Sequence, residues 1–499
     1  MRRILKVGQN AWCEEPVERA GILIDGDNYY RAFYEAGERA ARYILLAGWQ
    51  FDTDACLLRG AEAEQAKLPV TLLGYLNALC ERNPELRIRI LAWDFHAVFA
   101  LEREWMQDLR FKWLTSDRIE FLFDSHHASG GSHHQKFVVI DGRLAFVGGL
   151  DLCDHRWDDR RHRLPNPLRV SRGEPHQPFH DVQSYVVGPL VTRLKDLFCA
   201  RWLAAGGDPL DLPVVPAAFS DFSPRGAVPI ATDRAAMSRV DPYGSPGGPE
   251  GCREVFQLTV DAIAAAERLI YVETQYFSSE QISAALAARL RRAGATLEVV
   301  LVLNEHAETF KEEVAVGLAQ AKVIRELRQA AEGTPHQLGI YYTVPETQPG
   351  TEPERATYIH SKLLIVDDTF LTVGSANWTN RSTHLDTELN LSFSADSTAA
   401  PLCESISLTR RSLLAEHLGV DELEESQGVV AALDARARSG SARLRLHPSP
   451  TPKEQLALDV IDPSQLPFDP SAPEVQTPQN SLFRSGISAL VERLARAAT

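Results

Sequence analysis

The segment His134-Gln135-Lys136-Phe137-Val138-Val139-Ile140-Asp141 has a second copy in the chain, His360-Ser361-Lys362-Leu363-Leu364-Ile365-Val366-Asp367. The two copies lie 360 − 134 = 226 residues apart. In each copy an apolar run follows the lysine and an aspartate closes it, which predicts a buried β-strand ending in a turn. Residues two apart on a strand share a face, so the histidine and the lysine of each copy are expected to project together.

The surrounding sequence repeats in the same order. Strands are predicted over 44–52, 86–94, 119–124, 136–149 and 182–188 in the first half, and over 269–277, 297–304, 338–344, 362–375 and 389–393 in the second. Helices are predicted over 70–80, 252–266 and 281–293. Strands that alternate with helices indicate an α/β protein, and the repeated order predicts two duplicated α/β/α lobes with pseudo-two-fold symmetry.

The predicted domain boundaries follow from composition. An N-terminal lobe over 1–215 and a C-terminal lobe over 251–420 each carry one motif, and a linker over 216–250 lies within a stretch rich in Pro, Gly, Ser and Asp. Residues 421–499 form an extension of unknown role, with many prolines over 448–480 and a helix predicted over 487–498.

Composition limits the function classes. The 499 residues include 52 Lys and Arg against 67 Asp and Glu, a net charge of −15, which disfavours general attraction to nucleic acid or to an anionic membrane. The 7 scattered cysteines predict buried thiols and not a disulfide framework. No signal peptide and no spanning helix is predicted, so we expect a cytoplasmic or peripheral membrane protein, with secretion by a signal-less route left open.

A histidine and a lysine from each half could build one site at the seam between the lobes. Such a site suits a phosphodiester and a covalent phospho-histidine intermediate, because imidazole titrates near neutrality and ammonium groups neutralise phosphate charge. No cofactor or metal is expected. Neighbours on a strand face opposite ways, so His133 and His134 are not expected to bind one ion.

The two motifs resemble the HxKxxxxD motifs of the phospholipase D superfamily. Other segments are similar to its eukaryote-like branch: Gly148–Cys153, Arg156–Asp158, His180–Gln183, Tyr271–Phe277, Gly374–Asn377 and Asp386–Glu388. The resemblance covers about residues 20 to 420. It implies phospholipase D-like lobes with one active site at their interface.

The resemblance also implies residue roles. His134 would be the nucleophile, and His360 would be the general acid that later activates water. Lys136 and Lys362 would bind the non-bridging phosphate oxygens.

Carboxylates and one amide complete the implied site. Asp141 and Asp367 belong to the motifs and are counted with the catalytic set, although their turn positions also allow a structural role. Each histidine needs a partner that fixes its tautomer. Asp181 is assigned to His134, and Glu388 to His360 with Asp386 as a second candidate; Asp151 and Asn377 are assigned to substrate contacts, with Asp151 alternatively holding a histidine or a lysine.

The implied activity is hydrolysis of glycerophospholipids to phosphatidic acid and the headgroup alcohol, with transphosphatidylation possible. A cardiolipin-synthase-like phosphatidyltransferase and a nucleic-acid phosphodiesterase are the alternatives. The expected partners are a phospholipid substrate and a membrane surface met from the side, with no nucleic acid, and the chain is expected to be a monomer.

The insertion over 158–178 is predicted to lie near the site mouth, where its arginines would either touch lipid phosphates or face solvent. The turn-like stretch 25–30 would cap a helix or border the site.

Overall fold

The computed structural model describes residues 3–94, 115–128, 130–215, 219–242, 251–306, 316–348, 353, 355–398, 400–421, 423, 428–440, 442–449 and 469. Its strands are β1 (Cys13–Pro16), β2 (Arg19–Ile24), β3 (Tyr43–Gly48), β4 (Arg87–Trp93), β5 (Ile119–Asp124), β6 (Phe137–Ile140), β7 (Leu144–Gly148), β8 (Val170–Ser171), β9 (Glu174–Pro175), β10 (Phe179–His180), β11 (Val182–Val187), β12 (Val228–Pro229), β13 (Arg234–Asp241), β14 (Cys252–Arg253), β15 (Leu269–Thr274), β16 (Glu298–Val302), β17 (Gln337–Thr343), β18 (Tyr358–Ile359), β19 (Lys362–Val366), β20 (Phe370–Gly374), β21 (Glu388–Ser394) and β22 (Leu444–Leu446). Its helices are α1 (Asp25–Gly37), α2 (Gly60–Gln65), α3 (Leu72–Arg82), α4 (Val191–Ala204), α5 (Glu254–Ala265), α6 (Glu280–Arg291), α7 (Leu318–Ala331), α8 (Asn380–His384), α9 (Pro401–Leu418) and α10 (Val429–Ser439).

Two sheets repeat one topology. The first runs β12-β2-β11-β7-β6-β3-β4-β5, and the second runs β1-β13-β21-β20-β19-β15-β16-β17-β22. In both sheets an antiparallel hairpin that carries the motif lies beside three parallel strands. The predicted α/β class and the duplication are confirmed.

The core explains why the two sheets stay together. Alternate residues of a strand face opposite sides, so Leu45 and Val139 point inward while Ile44 and Ile140 point outward. The inward residues of both sheets form a single apolar cluster, and each outward face packs against helices in its own cluster. The lobes are therefore joined by a continuous buried core and not only by their linker.

One strand from the N-terminal part of the chain belongs to the second sheet, so the sheets do not follow the predicted domain boundaries. The N-terminal strand β1 pairs with β13 in the second sheet, and β13 lies inside the predicted linker 216–250. Part of the predicted extension also belongs to the second lobe, because β22 pairs with β17 and α10 packs beneath it. The proline and glycine content of the linker obscured a strand whose ladder is completed by distant partners. The predicted helix 487–498 lies outside the described residues.

The insertion 158–178 bridges the lobes. Arg160 donates to the Ser412 carbonyl of α9 at 2.7 Å and pairs with Glu416, and Arg161 pairs with Glu346. Arg169 is 1% exposed and donates to Asp158. Arg160 and Arg169 are thus committed to protein contacts, so the predicted lipid-phosphate role does not fit these two residues.

The structure also addresses the predictions about disulfides and about membrane-spanning helices. The cysteines are all free, as predicted, but only Cys13, Cys80 and Cys153 are buried, and the other four are partly exposed. Over the described part of the chain, no helix has the length and apolar character needed to span a bilayer.

Candidate active site

Each motif is held against a strand of the opposite lobe. The His134 amide donates to the Thr387 carbonyl at 3.0 Å, and the His360 amide donates to the His180 carbonyl at 2.8 Å. Short parallel pairings support both contacts, namely β10 with β18 and the bridge between His133 and Thr387. The two motifs therefore meet at one seam, related by the same pseudo-two-fold symmetry as the sheets.

These pairings exchange the carboxylates between the lobes. Nδ1 of His134 lies 3.0 Å from a Glu388 oxygen, and Nδ1 of His360 lies 2.5 Å from an Asp181 oxygen. The predicted pairs, Asp181 with His134 and Glu388 with His360, were wrong. The physical reason is the cross-lobe pairing, which places Asp181, just before β11, and Glu388, at the start of β21, each beside the motif of the other lobe.

Asp386 also serves the first motif and not His360, contrary to its assignment as a second candidate. Its carboxylate accepts from the Ser132 amide at 2.7 Å and from the Arg381 guanidinium at 2.8 Å. The contact fixes the loop that leads into His134. Asp386 is thus a positioning residue from the second lobe for the loop of the first.

The two lysines have different partners. Lys136 lies 3.3 Å from the Asp151 carboxylate, whereas Lys362 donates to the side-chain amide oxygen of Gln275 at 2.9 Å. Each ammonium also donates to the carbonyl of the histidine two residues earlier. Each lysine is thereby held close to its own histidine, as their spacing predicts.

The two residues assigned to substrate contacts lie beside these lysines. Asp151 also accepts from the Trp49 amide at 3.0 Å, so it takes the alternative role of holding a lysine. The Asn377 amide group donates to Gln275 at 3.3 Å, and its buried carbonyl oxygen has no hydrogen-bond partner among the residues that the structure describes.

Asp141 and Asp367 lie at the far ends of the motif strands. Asp141 lies five positions after Lys136, or roughly 16 Å along a strand. The Asp141 carboxylate accepts the amides of Ala41, Arg42 and Tyr43 at 2.7 to 2.9 Å. Asp367 binds the amides of 267–269 at 2.7 to 2.8 Å in the same way. Their inclusion in the catalytic set does not fit these contacts, because their carboxylates secure the turn at the opposite end of each strand.

The comparisons with known proteins cover both halves. A family model described as "Phospholipase D" matches residues 36–227, and one described as "Cardiolipin synthase, PLD-like domain" matches residues 259–407. The chain belongs to the phospholipase D superfamily.

Curated phospholipases D resemble most of the chain. It is 23% identical to phospholipase D alpha 1 of Zea mays over 80% of this chain and 65% of that protein. It is 25% identical to phospholipase D A of Dictyostelium discoideum over 74% of this chain and 32% of that protein. The chain thus spans less than two thirds of the length of these relatives.

Among solved structures, the phosphatidylserine synthase of Haemophilus influenzae superposes with a TM-score of 0.52 at 12% identity, over 81% of this chain and 88% of that one. This likeness supports the fold alone.

Burial and nearby cations set the electrostatics of this phospholipase D-like site. Burial, with Lys136 next in effect, lowers the pKa of His134 well below its usual value. Burial and Lys362 lower the pKa of His360 in the same direction. Burial lowers the pKa of Lys362 to about 7 and raises that of Glu388 to about 8 and of Asp181 to about 6. The imidazoles are consequently neutral in the free site, as a nucleophile requires.

Residue-by-residue reasoning missed several supporting groups. Ser375 donates its hydroxyl to Glu388, and Gln275 holds Lys362. Arg156 adds positive charge near His360, with its guanidinium 5.0 Å from the Phe179 ring, which in turn lies 5.2 Å from the His360 ring. All of these lie inside or beside the recognised segments, which was the signal that could have found them.

Proposed function

We propose that this chain is a phospholipase D-type phosphodiesterase that cleaves the distal phosphodiester of glycerophospholipids through a phospho-histidine. The observation that carries the proposal is the convergence of both HxK motifs, each imidazole backed by a carboxylate of the opposite lobe. The similarity to curated phospholipases D over 72% to 81% of the chain supports the lipid substrate.

The first step forms a bond from His134 to phosphorus. When Glu388 is ionised it accepts a hydrogen bond from the Nδ1–H group of His134. This fixes the tautomer in which the lone pair on Nε2 is free for attack. The ammonium groups of Lys136 and Lys362 neutralise the non-bridging oxygens as phosphorus becomes five-coordinate. The bond to the headgroup oxygen breaks, and a proton from Nε2 of His360 converts the leaving alkoxide to an alcohol.

His360 can supply that proton once substrate is bound. Its pKa is low in the free site because of burial and the neighbouring Lys362 cation. A bound phosphodiester brings negative charge, which offsets the lysines and favours the imidazolium that Asp181 stabilises.

The second step regenerates the protein. His360, now neutral, takes a proton from water, the water oxygen attacks phosphorus, and the bond to His134 breaks. The products are phosphatidic acid and free His134. A primary alcohol in place of water would give a phosphatidyl-alcohol through the same step.

The test uses mixed phospholipid vesicles incubated with and without a primary alcohol, with products analysed by mass spectrometry. Phosphatidic acid and headgroup alcohol are expected without the alcohol, and phosphatidyl-alcohol is expected with it. Arg438→Gln is a folded control, because the exposed Arg438 side chain pairs with Asp434 one turn earlier on α10.

Other product patterns identify the alternatives. Hydrolysis without any phosphatidyl-alcohol would contradict an accessible phosphatidyl-protein intermediate. Transfer only to a lipid alcohol would favour a cardiolipin-synthase-like transferase, and cleavage of DNA without lipid turnover would favour a nucleic-acid phosphodiesterase.

A further inference from the structure

A buried group of histidines and carboxylates lies behind the active site, at the seam between the lobes. Asp25 begins α1 and His180 ends β10 in the first lobe, His162 comes from the insertion, and Glu416 comes from α9 of the second lobe. The four side chains are 0% to 1% exposed, and one ligand atom from each lies within 4.8 Å of the others.

The spacing of these atoms suits a small cation. Glu416 Oε1 lies 3.1 Å from His162 Nε2 and 2.8 Å from His180 Nδ1. Asp25 lies 3.0 Å from His180 Nδ1 and 3.6 Å from His162 Nε2. Ligands about 2.0 Å from a tetrahedral zinc ion are separated by roughly 3.3 Å, which falls in the middle of these distances.

The outer nitrogens of both histidines are anchored by other carboxylates. His162 Nδ1 lies 2.9 Å from Asp158, and His180 Nε2 lies 2.9 Å from Glu273. Carboxylate–histidine contacts of this kind fix the tautomer of a metal-binding imidazole and turn its other nitrogen toward the ion. Both inner nitrogens accordingly face the centre of the group.

The inward atoms are crowded around one imidazole nitrogen. His180 Nδ1 lies 2.8 Å from Glu416 and 3.0 Å from Asp25, so two carboxylates face a single ring nitrogen. Among the described residues, the buried Oδ2 of Asp25 has no hydrogen-bond partner. A buried polar atom without a partner is unfavourable, and a cation at the centre would satisfy it.

Charge points the same way. The group and its direct surroundings contain four carboxylates and three guanidinium groups: Asp25, Asp158, Glu273, Glu416, Arg160, Arg169 and Arg443. If both imidazoles are neutral, four carboxylates face three guanidinium groups, and either a bound cation or protons on the imidazoles must balance the difference.

We propose that Asp25, His162, His180 and Glu416 bind a divalent cation of the zinc type that fastens the two lobes behind the active site. Two imidazoles and two carboxylates form a nitrogen and oxygen donor set that suits zinc, and the closed burial fits a structural ion. The ion does not touch the substrate and acts by holding His180, and with it the segment that contacts His360, in place. The His180 carbonyl accepts the His360 amide, and the next residue, Asp181, orients the His360 ring.

Protons are the competing occupant. Burial opposes charging of His162, but the neighbouring Asp25 and Asp158 carboxylates outweigh it and raise the pKa of His162 to about 9. A metal-free group would therefore carry imidazolium ions in place of the cation.

The experiment measures metal content in the full chain purified from zinc-supplemented culture without an affinity metal. Inductively coupled plasma mass spectrometry should find about one zinc ion per chain, and exchange with Co²⁺ should give the intense visible absorption of a tetrahedral site. His162→Gln should remove most of the zinc and the Co²⁺ band. Arg161→Gln, its exposed neighbour, should keep both.

A second control concerns the adjacent group His180, Glu273 and His417. His417→Gln should retain zinc, because Nε2 of His417 binds Glu273 and its ring packs edge-on against the His180 ring at 4.8 Å, so His417 supplies no ligand atom to the proposed site. Loss of zinc in His417→Gln with retention in His162→Gln would overturn the assignment. Folded wild-type protein that holds no zinc and gives no Co²⁺ band would overturn the site itself and establish the proton-filled group. Because the readout is metal content, it does not depend on the substrate.

Discussion

The two halves of the active site share one backbone arrangement and differ in charge. In the first half the carboxylate of Asp151 compensates Lys136, while in the second half the neutral amide of Gln275 holds Lys362. The His134 side chain is 18% exposed and that of His360 is 8% exposed. The two halves therefore keep the same backbone geometry while the charges beside their lysines differ. Different surroundings would allow the two histidines to act separately as nucleophile and acid.

The largest expected effect separates the two histidines. His134→Ala and His360→Ala should each lower hydrolysis of natural phospholipid by about 10⁴-fold or more. With an activated ester whose leaving group needs no proton, His360→Ala should still release the leaving group in a burst and retain the phosphatidyl group on His134. A burst from His134→Ala and none from His360→Ala would reverse the proposed roles.

The next effect tests the exchange of carboxylates. Glu388→Gln and Asp181→Asn should each lower kcat by about 10²–10⁴-fold, because the amide no longer fixes the reactive tautomer. ¹⁵N NMR of the histidine rings should show Glu388→Gln perturbing His134 and Asp181→Asn perturbing His360. The opposite pattern would contradict the cross-lobe contacts.

The pH dependence sharpens the same comparison. Glu388 must be ionised to free the His134 lone pair, and its raised pKa of about 8 makes kcat/KM rise with pH up to that value. Lys362 must be protonated to bind phosphate, and its lowered pKa of about 7 makes kcat/KM fall above that value. A bell centred between about 7 and about 8 is expected.

Lys362→Arg provides the control for the alkaline limb. A guanidinium stays charged throughout this range, so the fall in kcat/KM should move upward by at least about one pH unit. An alkaline limb that stays in place would assign it to a different group.

The smallest effect on catalysis is expected at the far end of the strands. Asp141→Ala removes a carboxylate that accepts three backbone amides and should lower the free energy of unfolding by about 2–4 kcal/mol. Activity of the folded fraction should stay within about twofold of wild type, measured by denaturant unfolding alongside kcat. A large loss of kcat with unchanged stability would return Asp141 to the catalytic set.

Local signals explain what the sequence could predict. The apolar runs after Lys136 and Lys362 identified the motif strands, because a buried strand needs no distant information to be recognised. The same spacing placed each lysine with its histidine. The carboxylate partners of the histidines could not be predicted in this way. They depend on how the two sheets pack against each other, and the hydrophobic pattern within each half gives no information about that packing.

Two other features depended on distant partners. Asp25 looked like a helix cap, yet it has φ of +65° and turns its buried carboxylate toward His180. The strand β13 contains the polar residues Ser238 and Arg239 and lies in a stretch whose composition resembles a linker, so it was not predicted as a strand. Pairing with β1 and β21 stabilises it. Both contacts join residues far apart in the chain, where local propensity carries little information.

The pairing of β1 with β13 has a consequence for how the chain is made. Cys13 pairs with Met237, so this strand waits for 237 − 13 = 224 further residues before its partner leaves the ribosome. Contacts of such long sequence separation slow folding and leave strand edges open to wrong partners. The first sheet needs no strand after β12 and can form earlier, whereas the second sheet is completed by β1, whose Cys13 is translated 224 residues before Met237.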